Sequence, residues 1–333
     1  MEREGFKYHW WGKGDIDASF GIFFDGFSKI LTATGIMTMV FGMPARIVIG
    51  KVVPGIGLAI FLGNLWYFYE ARQLAIRERR QDVTSQPFGI GASQLSGWLY
   101  LIIGPVYWQT KDAELAFQVG LAAAFIGGMV EIAGGFAGRW IIDNIPNCAL
   151  MGNMASSAMV WLSIVGLAMV FDKPVYGLLP LFIIIIDYLG KADKRFAKIP
   201  SGVAAILIGT AVAWAGGYQT WERFEQSFAS IGFYPPSLSA GDILAGFKGI
   251  VPFLPVIIPL QINNFLSTLQ GLESARMAGD TYPERRSMIM DGVSTIAGSL
   301  FGNPFPTTVY FGHPGWKELG ARAGFSLVNG GLY

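Results

Sequence analysis

Gly302-Asn-Pro-Phe-Pro-Thr-Thr-Val-Tyr-Phe-Gly-His-Pro-Gly315 interrupts an apolar stretch with Pro and Gly, and its reading decides the fold. A run of the same make-up lies earlier in the chain, Asp82-Val-Thr-Ser-Gln-Pro-Phe-Gly-Ile-Gly91. Each has a short β-like run, then Pro or Gly, then an apolar half-helix. Unpaired backbone inside lipid costs several kcal/mol per group, so such segments persist only where protein or a cavity supplies partners. Paired broken spans at corresponding places in two halves of a chain point to a transporter's binding site. The alternative, a loop outside the membrane, conflicts with the charge pattern around both segments.

The surrounding chain reads as a protein whose solvent is lipid. Of its 333 residues 52% are apolar in the broad sense and 14% are charged, with a mean hydropathy of +0.45. An average soluble domain carries about 25% charged residues. Here the charge falls in short clusters between long apolar stretches. With about 20 residues needed per crossing, intact spans are predicted at 21–43, 53–70, 114–138, 145–171, 176–190, 200–217, 249–270 and 288–302, and broken ones at 83–108 and 303–328. Glycine is abundant at 44 residues. In GLAAAFIGGMVEIAGGFAG small residues recur on one helical face and let backbones approach closely in lipid. The net charge of +1, without basic stripes, gives no hint of nucleic acid. One cysteine, Cys148, excludes an intramolecular disulfide. The start MEREGFKYHWWGKGD is too polar for a cleaved signal peptide, so the first span is expected to deliver the chain to the membrane.

Lys and Arg set the expected orientation. Arg72, Arg77, Arg79 and Arg80, then Lys191, Lys194, Arg195 and Lys198, then Arg276, Arg285 and Arg286 form rich loops. Between them stand Lys111, then Lys173, then Arg223 and Lys248. The alternation predicts a multi-pass protein of the inner (cytoplasmic) membrane with a cytoplasmic N-terminus. It also requires 83–108 to cross fully, and it places 218–248, with an interfacial helix, outside.

The stretches DVTSQPFGIG, GPVYWQTKDAELAFQVGLAAAFIGGMVEIAGGFAGRWI and FPTTVYFGHPGWKELGARAG together resemble the nucleobase–ascorbate transporter family, the xanthine/uracil permeases. The nearest likeness is to its adenine/guanine-permease-like and uncharacterised bacterial branches, from about residue 15 to the end. The resemblance implies an all-α polytopic membrane protein built as a seven-plus-seven inverted repeat. Its third and tenth spans each begin as a strand and continue as a half-helix, with substrate held between them. It implies a cytoplasmic segment at 1–20, core-domain spans at 21–140, gate-domain spans at 141–217, an external loop at 218–248 and the second repeat over 249–333. Fourteen spans are implied, whereas the sequence reaches Tyr333 in what would be the eleventh, so the second repeat is expected to be incomplete. The family's carboxylates on the eighth and tenth spans are replaced. Asn264 stands at the first, with Thr268 one turn later, and His313, beside Gly312, at the second.

Several residues then become candidates for substrate contact. Gln261, Asn264 and Thr268 share a helix face at spacings of three and four, and a polar stripe should face protein or a cavity. Asn263 and Asn264 offer donor and acceptor to the edge of a purine or pyrimidine. The alternative is interhelical hydrogen bonding without ligand. Gln86 suits an edge contact and Phe88 ring stacking, with Gly89 beside them; for Phe88 core packing is the alternative. His313, one of two histidines, lies at a half-helix start and is expected to be neutral there, contacting a base or carrying a proton. The alternative is that it satisfies a backbone group.

Asp25, Glu131 and His313 are the coupling candidates, for H⁺ or Na⁺. Asp25 and Lys29, four apart, read rather as a structural pair, and Glu273 as solvated near the interface. There is no Walker loop, HExxH, cysteine pair or histidine cluster. No catalytic residue, metal site or organic cofactor is therefore expected, and the chain does not read as an enzyme. The expected partners are a small-molecule substrate and membrane lipids, not nucleic acid, with a homodimer left open. The expected function is a symporter for a nucleobase-like compound, working by alternating access. Two rivals stay open: an anion carrier of the same fold, because half-helix N-termini attract anions, and a non-transporting membrane scaffold or sensor.

Overall fold

The first crossing starts earlier than hydropathy predicts. Helix α1 spans Asp15–Gly35 and runs on through a π-helical turn, Ile36–Val40. Asp15 is fully buried and accepts the backbone N–H groups of Gly12, Arg322 and Phe325. A carboxylate in the first turn also suits the positive end of the helix dipole. The computed structural model describes residues 6–333 apart from 147, 150, 151, 153, 154, 157, 158, 190–200 and 229–231. The Lys191, Lys194, Arg195 and Lys198 cluster, on which part of the expected orientation rests, lies outside the described residues.

After Pro44, α2 runs Ala45–Glu78 and stops at Arg79, whose φ of 53° is left-handed. Strand β1 is Phe88–Ile90, and α3 occupies 92–110, with a π-helical turn at Leu99–Ile103. Asp112 caps α4 (Ala113–Gly134) by accepting from Glu114 and Leu115 N–H. A short α5, Gly138–Asn144, follows.

Residues Ala155–Phe233 form a compact unit of their own, apart from the unit made by Met1–Met154 and Tyr234–Tyr333. Within it are α6 (Val165–Asp172), α7 (Pro174–Leu189), α8 (Ser201–Ala215) and α9 (Trp221–Phe228). The hydroxyl of Tyr176 donates to Gly216 O at 3.1 Å, tying α7 to the end of α8. Trp221 and Phe228 of α9 are largely exposed.

The larger unit resumes with α10 (Ala240–Gly246), α11 (Leu254–Met277), α12 (Glu284–Leu300), β2 (Thr307–Val309), α13 (His313–Glu318) and α14 (Gly324–Leu332). Its order helix, helix, strand thus occurs twice, as α1–α2–β1 and α11–α12–β2. The two strands pair antiparallel, Phe88 with Val309, Gly89 with Thr308 and Ile90 with Thr307. Antiparallel pairing of corresponding strands is what a two-fold axis between inverted copies requires. Asn303 shapes the approach to β2: its Nδ2 donates to Phe305 O, and its Oδ1 accepts from Phe305 N–H. Every residue of both strands is buried, and their backbones find partners in one another. Ala45–Glu78, Ala113–Gly134 and Val251–Met277 are each long and apolar enough to cross a membrane.

The second broken span departs from expectation. Instead of one apolar half-helix completing the broken span 303–328, there are two short helices. Pro314 opens α13, and Gly320, at φ 81°, turns the chain out of it before α14 begins.

Two close approaches set the geometry of the core. A Cβ on Gly128 of α4 would lie 2.7 Å from Gly292 O, and one on Gly292 of α12 would lie 2.6 Å from Gly128 O. The helices cross backbone to backbone there, and only glycine permits it. Likewise the Phe88 ring occupies the notch left by Gly63 of α2, where a Cβ would come within 1.9 Å of it.

Candidate functional site

The glycine crossing of α4 and α12 brings two acidic side chains into one buried cluster. Glu131 lies on α4 just beyond Gly128, and Asp291 on α12 precedes Gly292; neither has exposed surface. Glu131 Oε2 accepts from Gln261 Nε2 at 3.1 Å, and Asn264 Nδ2 reaches both carboxylate oxygens, at 3.2 and 3.1 Å. Asp291 accepts from the Tyr67 hydroxyl at 2.6 Å and from Thr268 Oγ1 at 2.7 Å. Thr268 Oγ1 also lies 3.4 Å from Glu131 Oε1 and 3.0 Å from Thr308 Oγ1. One hydroxyl therefore bridges both carboxylates and the centre of the strand crossing. Asn264 extends the link by donating to Thr307 O at 3.1 Å.

Among the described residues neither acid makes an ion pair, and no group of three or more His, Cys, Asp or Glu is placed to hold a metal. The carbonyl oxygens of Gln261 and Asn264 are buried without a partner. Both amides have turned their donors to Glu131 and left their acceptors unmet. An added proton on Glu131 would change which face of each amide is wanted.

Gln261, Asn264 and Thr268 do share one face of α11, and that face is turned to the acids. Asn263 is half-buried and its carbonyl accepts from Ser267 Oγ. Phe88 is fully buried, its ring 5.5 Å from that of Tyr67. That is the core-packing alternative, with no open face for a stacked base. Gln86 is also fully buried, and among the described residues neither its amide nitrogen nor its oxygen has a partner. Gly89 lies against Tyr310, where a Cβ would come within 2.2 Å of the hydroxyl oxygen.

His313 does not join this group. Its Nε2 is 3.0 Å from Asp280 Oδ2 and its Nδ1 is 3.2 Å from Ser85 O, beyond the C-terminus of α11. Thr268 lies nine residues before that terminus, roughly 13 Å along the axis at the usual helical rise. The contact with Ser85 O matches the alternative reading, a histidine that satisfies a backbone group. Gly312 precedes it at φ 117°, a conformation that favours glycine. Asp280 also accepts from Lys317 at 2.5 Å, Arg80 at 3.1 Å and Thr84 N–H at 3.0 Å. Burial would raise its carboxyl, but the hydrogen bonds from His313, Lys317 and Thr84 outweigh it and hold it below the ordinary 3.8. Glu273, expected to be solvated, is buried and paired with Arg276 at 2.5 Å.

Asp25 and Lys29 form the expected pair at 2.5 Å, with the ammonium 3.9 Å from the centre of the Tyr310 ring. This puts an ion pair at the end of β2. The other end of the crossing opens α3: no side chain caps it at Gly91, and Gln94 bridges from Ser93 to Ser267 of α11. The residues that sequence reasoning missed are Asp291, Tyr67 and Asp280. Asp291 carried the same signal as Glu131, an acid within an apolar span. Asp280 looked like a solvated loop residue.

No family model matches this chain, and no curated protein matches it. Solved structures do. One is the transmembrane domain of a cyanobacterium bicarbonate transporter, BicA, at a TM-score of 0.58 and 16% identity, over 96% of this chain and 80% of that one. At that identity the likeness is one of fold. The chain is a helical polytopic membrane protein of the inverted-repeat transporter fold, with two broken strand and half-helix spans at its centre. That fold is common to anion carriers and to the nucleobase family that the sequence resembles, and nothing matched singles out the latter.

Proposed function

We propose that the chain is the membrane body of a secondary active transporter, in which Glu131 and Asp291 together hold the coupling proton. The observation that carries this reading is the carboxylate pair itself, fully buried, without an ion pair among the described residues, and linked through Thr268 to the strand crossing. Two like charges so placed in low dielectric cannot both be ionised cheaply. Losing or gaining the shared proton changes what Thr268 and Asn264 donate to, and those two residues touch β2. Proton binding is thereby coupled to the shape of the crossing. Alternating access then needs only that the crossing moves as a unit against the rest of the protein.

The substrate reading that the crossing favours is a small anion. The uncapped start of α3 offers backbone N–H groups, and Lys29, paired with Asp25, stands at the far end of the two strands. The transporter of like fold named above carries bicarbonate by its title. A nucleobase-like substrate is the second reading, and the specific observation for it is Gln86, a buried amide with both donor and acceptor unmet.

Uptake into proteoliposomes under an imposed inward proton gradient separates the readings. Labelled sulfate should accumulate, and Lys29→Gln should lower its apparent affinity by about tenfold, the worth of one charge-assisted hydrogen bond. Accumulation of labelled uracil instead would move the assignment to the second reading. Flux of neither would leave a binding or scaffold protein and defeat the proposal.

A further inference from the structure

A cavity of about 600 Å³ lies at the Arg80 end of the larger unit, far along α11 from the carboxylate pair. Three segments enclose it: the residues that lead into α1, the stretch before β1, and the link between α13 and α14. Its lining includes Trp11, Lys13, Ile16, Asp82, Lys317 and Arg322. The walls are fixed by hydrogen bonds among these segments, Gly14 N–H to Gly320 O, Ala323 N–H to Trp10 O and Ser85 N–H to Arg322 O.

The charges of the lining do not cancel locally. Asp82 is engaged by Arg80 at 2.9 Å and held down to about 2 chiefly by that hydrogen bond. Lys317 is engaged by Asp280 at 2.5 Å, with Asp82 at 3.6 Å. Lys13 and Arg322, among the described residues, have no carboxylate within 4.0 Å; one N–H of Arg322 goes to His9 O at 2.8 Å. Two cations without a close ion pair among the described residues thus face one cavity, with Asp15 the nearest carboxylate to Arg322. Trp11 and Ile16, 42% and 55% exposed, add apolar surface at the N-terminal end of α1, and an aromatic ring there suits a lipid headgroup.

We propose that this cavity binds a phosphate-bearing anion through Lys13 and Arg322, and that the bound anion ties the N-terminal segment to both broken spans. A fixed tie at one end would restrain the movement of the crossing, which makes the site regulatory. The chemistry is that of a phosphate group, carried either by an anionic lipid or by a soluble compound, and the exposed Trp11 and Ile16 suit the former. The site stands apart from the carboxylate pair and does not depend on which substrate is carried.

The test uses the whole chain in nanodiscs of phosphatidylcholine, titrated in one arm with phosphatidylglycerol and in the other with inorganic phosphate, following the unfolding temperature. Stabilisation by phosphatidylglycerol is expected, and each cation removed should weaken the apparent affinity by about fivefold. Lys13→Gln and the Lys13→Gln, Arg322→Gln pair should show this, while Lys248→Gln, on an exposed loop, should not. Lys13 is exposed and, among the described residues, makes no ion pair, so its single replacement reads out even if the double variant does not fold. Stabilisation by inorganic phosphate with the same dependence on Lys13 would assign a soluble ligand to the same site. No response to either probe, or equal responses from wild type and Lys13→Gln, would overturn the proposal.

Discussion

Asp280 has no exposed surface, yet it gathers His313, Lys317, Arg80 and the Thr84 N–H onto one carboxylate. The Tyr282 hydroxyl donates to Thr84 O beside it, so the stretch leading to β1 is clamped to the loop after α11. Because the folded carboxyl lies below its ordinary 3.8, its contribution to stability is complete above that value and is lost as pH falls through the folded value. Thermal unfolding of the detergent-solubilised protein should therefore show a loss of stability in acid below about pH 4, and Asp280→Asn should flatten that limb. At neutral pH the same change should cost roughly 1.5–3 kcal/mol, the worth of hydrogen bonds to a charged group. An unchanged acid limb in Asp280→Asn would dismiss the clamp. At this scale the sequence exposes residue types but not their partners. His313 stood out as one of two histidines, but its partner Asp280 lies 33 residues away in a loop that looks solvated. Glu131 was legible because an acid in an apolar helix is costly, and Asp291 was open to the same reading.

Among the elements, the crossing of α4 and α12 has the least tolerance. Gly128→Val would drive a Cβ to 2.6 Å from Ile296 Cγ1 and 2.7 Å from Gly292 O. Overpacking of this kind costs typically about 1–3 kcal/mol. The variant should unfold at lower temperature and should also lose proton coupling, because Glu131 and Asp291 are positioned by that contact. Gly35→Ala, with nothing within 4 Å of the added carbon, should change neither. A Gly128→Val protein with full stability and coupling would show that the close approach is not needed. The glycine-rich face of α4 was legible as a packing face, but its partner helix was not, since close approach depends on residues 164 positions apart being adjacent (Gly128 and Gly292). Both broken spans could be read because Pro and Gly in an apolar run exclude a continuous helix. The brevity of α13 could not be read, since it is set by the φ of 81° at Gly320 and by the docking of Ala321 and Arg322 onto α1 and the stretch before β1.

For the whole molecule, lipid makes the architecture legible: a chain with so little charge must pair its backbone internally, and clusters of Lys and Arg mark where it emerges. The antiparallel strand pair, with corresponding strands meeting at the centre, was foreshadowed by two similar interrupted stretches and not by any local propensity. What the sequence leaves open is the hydrogen-bond chain between the acid pair and the crossing, which runs through Tyr67, Thr268 and Thr308 on three different elements. The most direct measurement is proton movement itself. Proteoliposomes holding a pH-sensitive dye should acidify inside when the transported substrate is added outside. Glu131→Gln and Asp291→Asn should abolish that signal, while Asp25→Asn, which removes only the partner of Lys29, should keep it. Acidification by Glu131→Gln at the wild-type rate would contradict the assignment of the coupling proton to the buried pair.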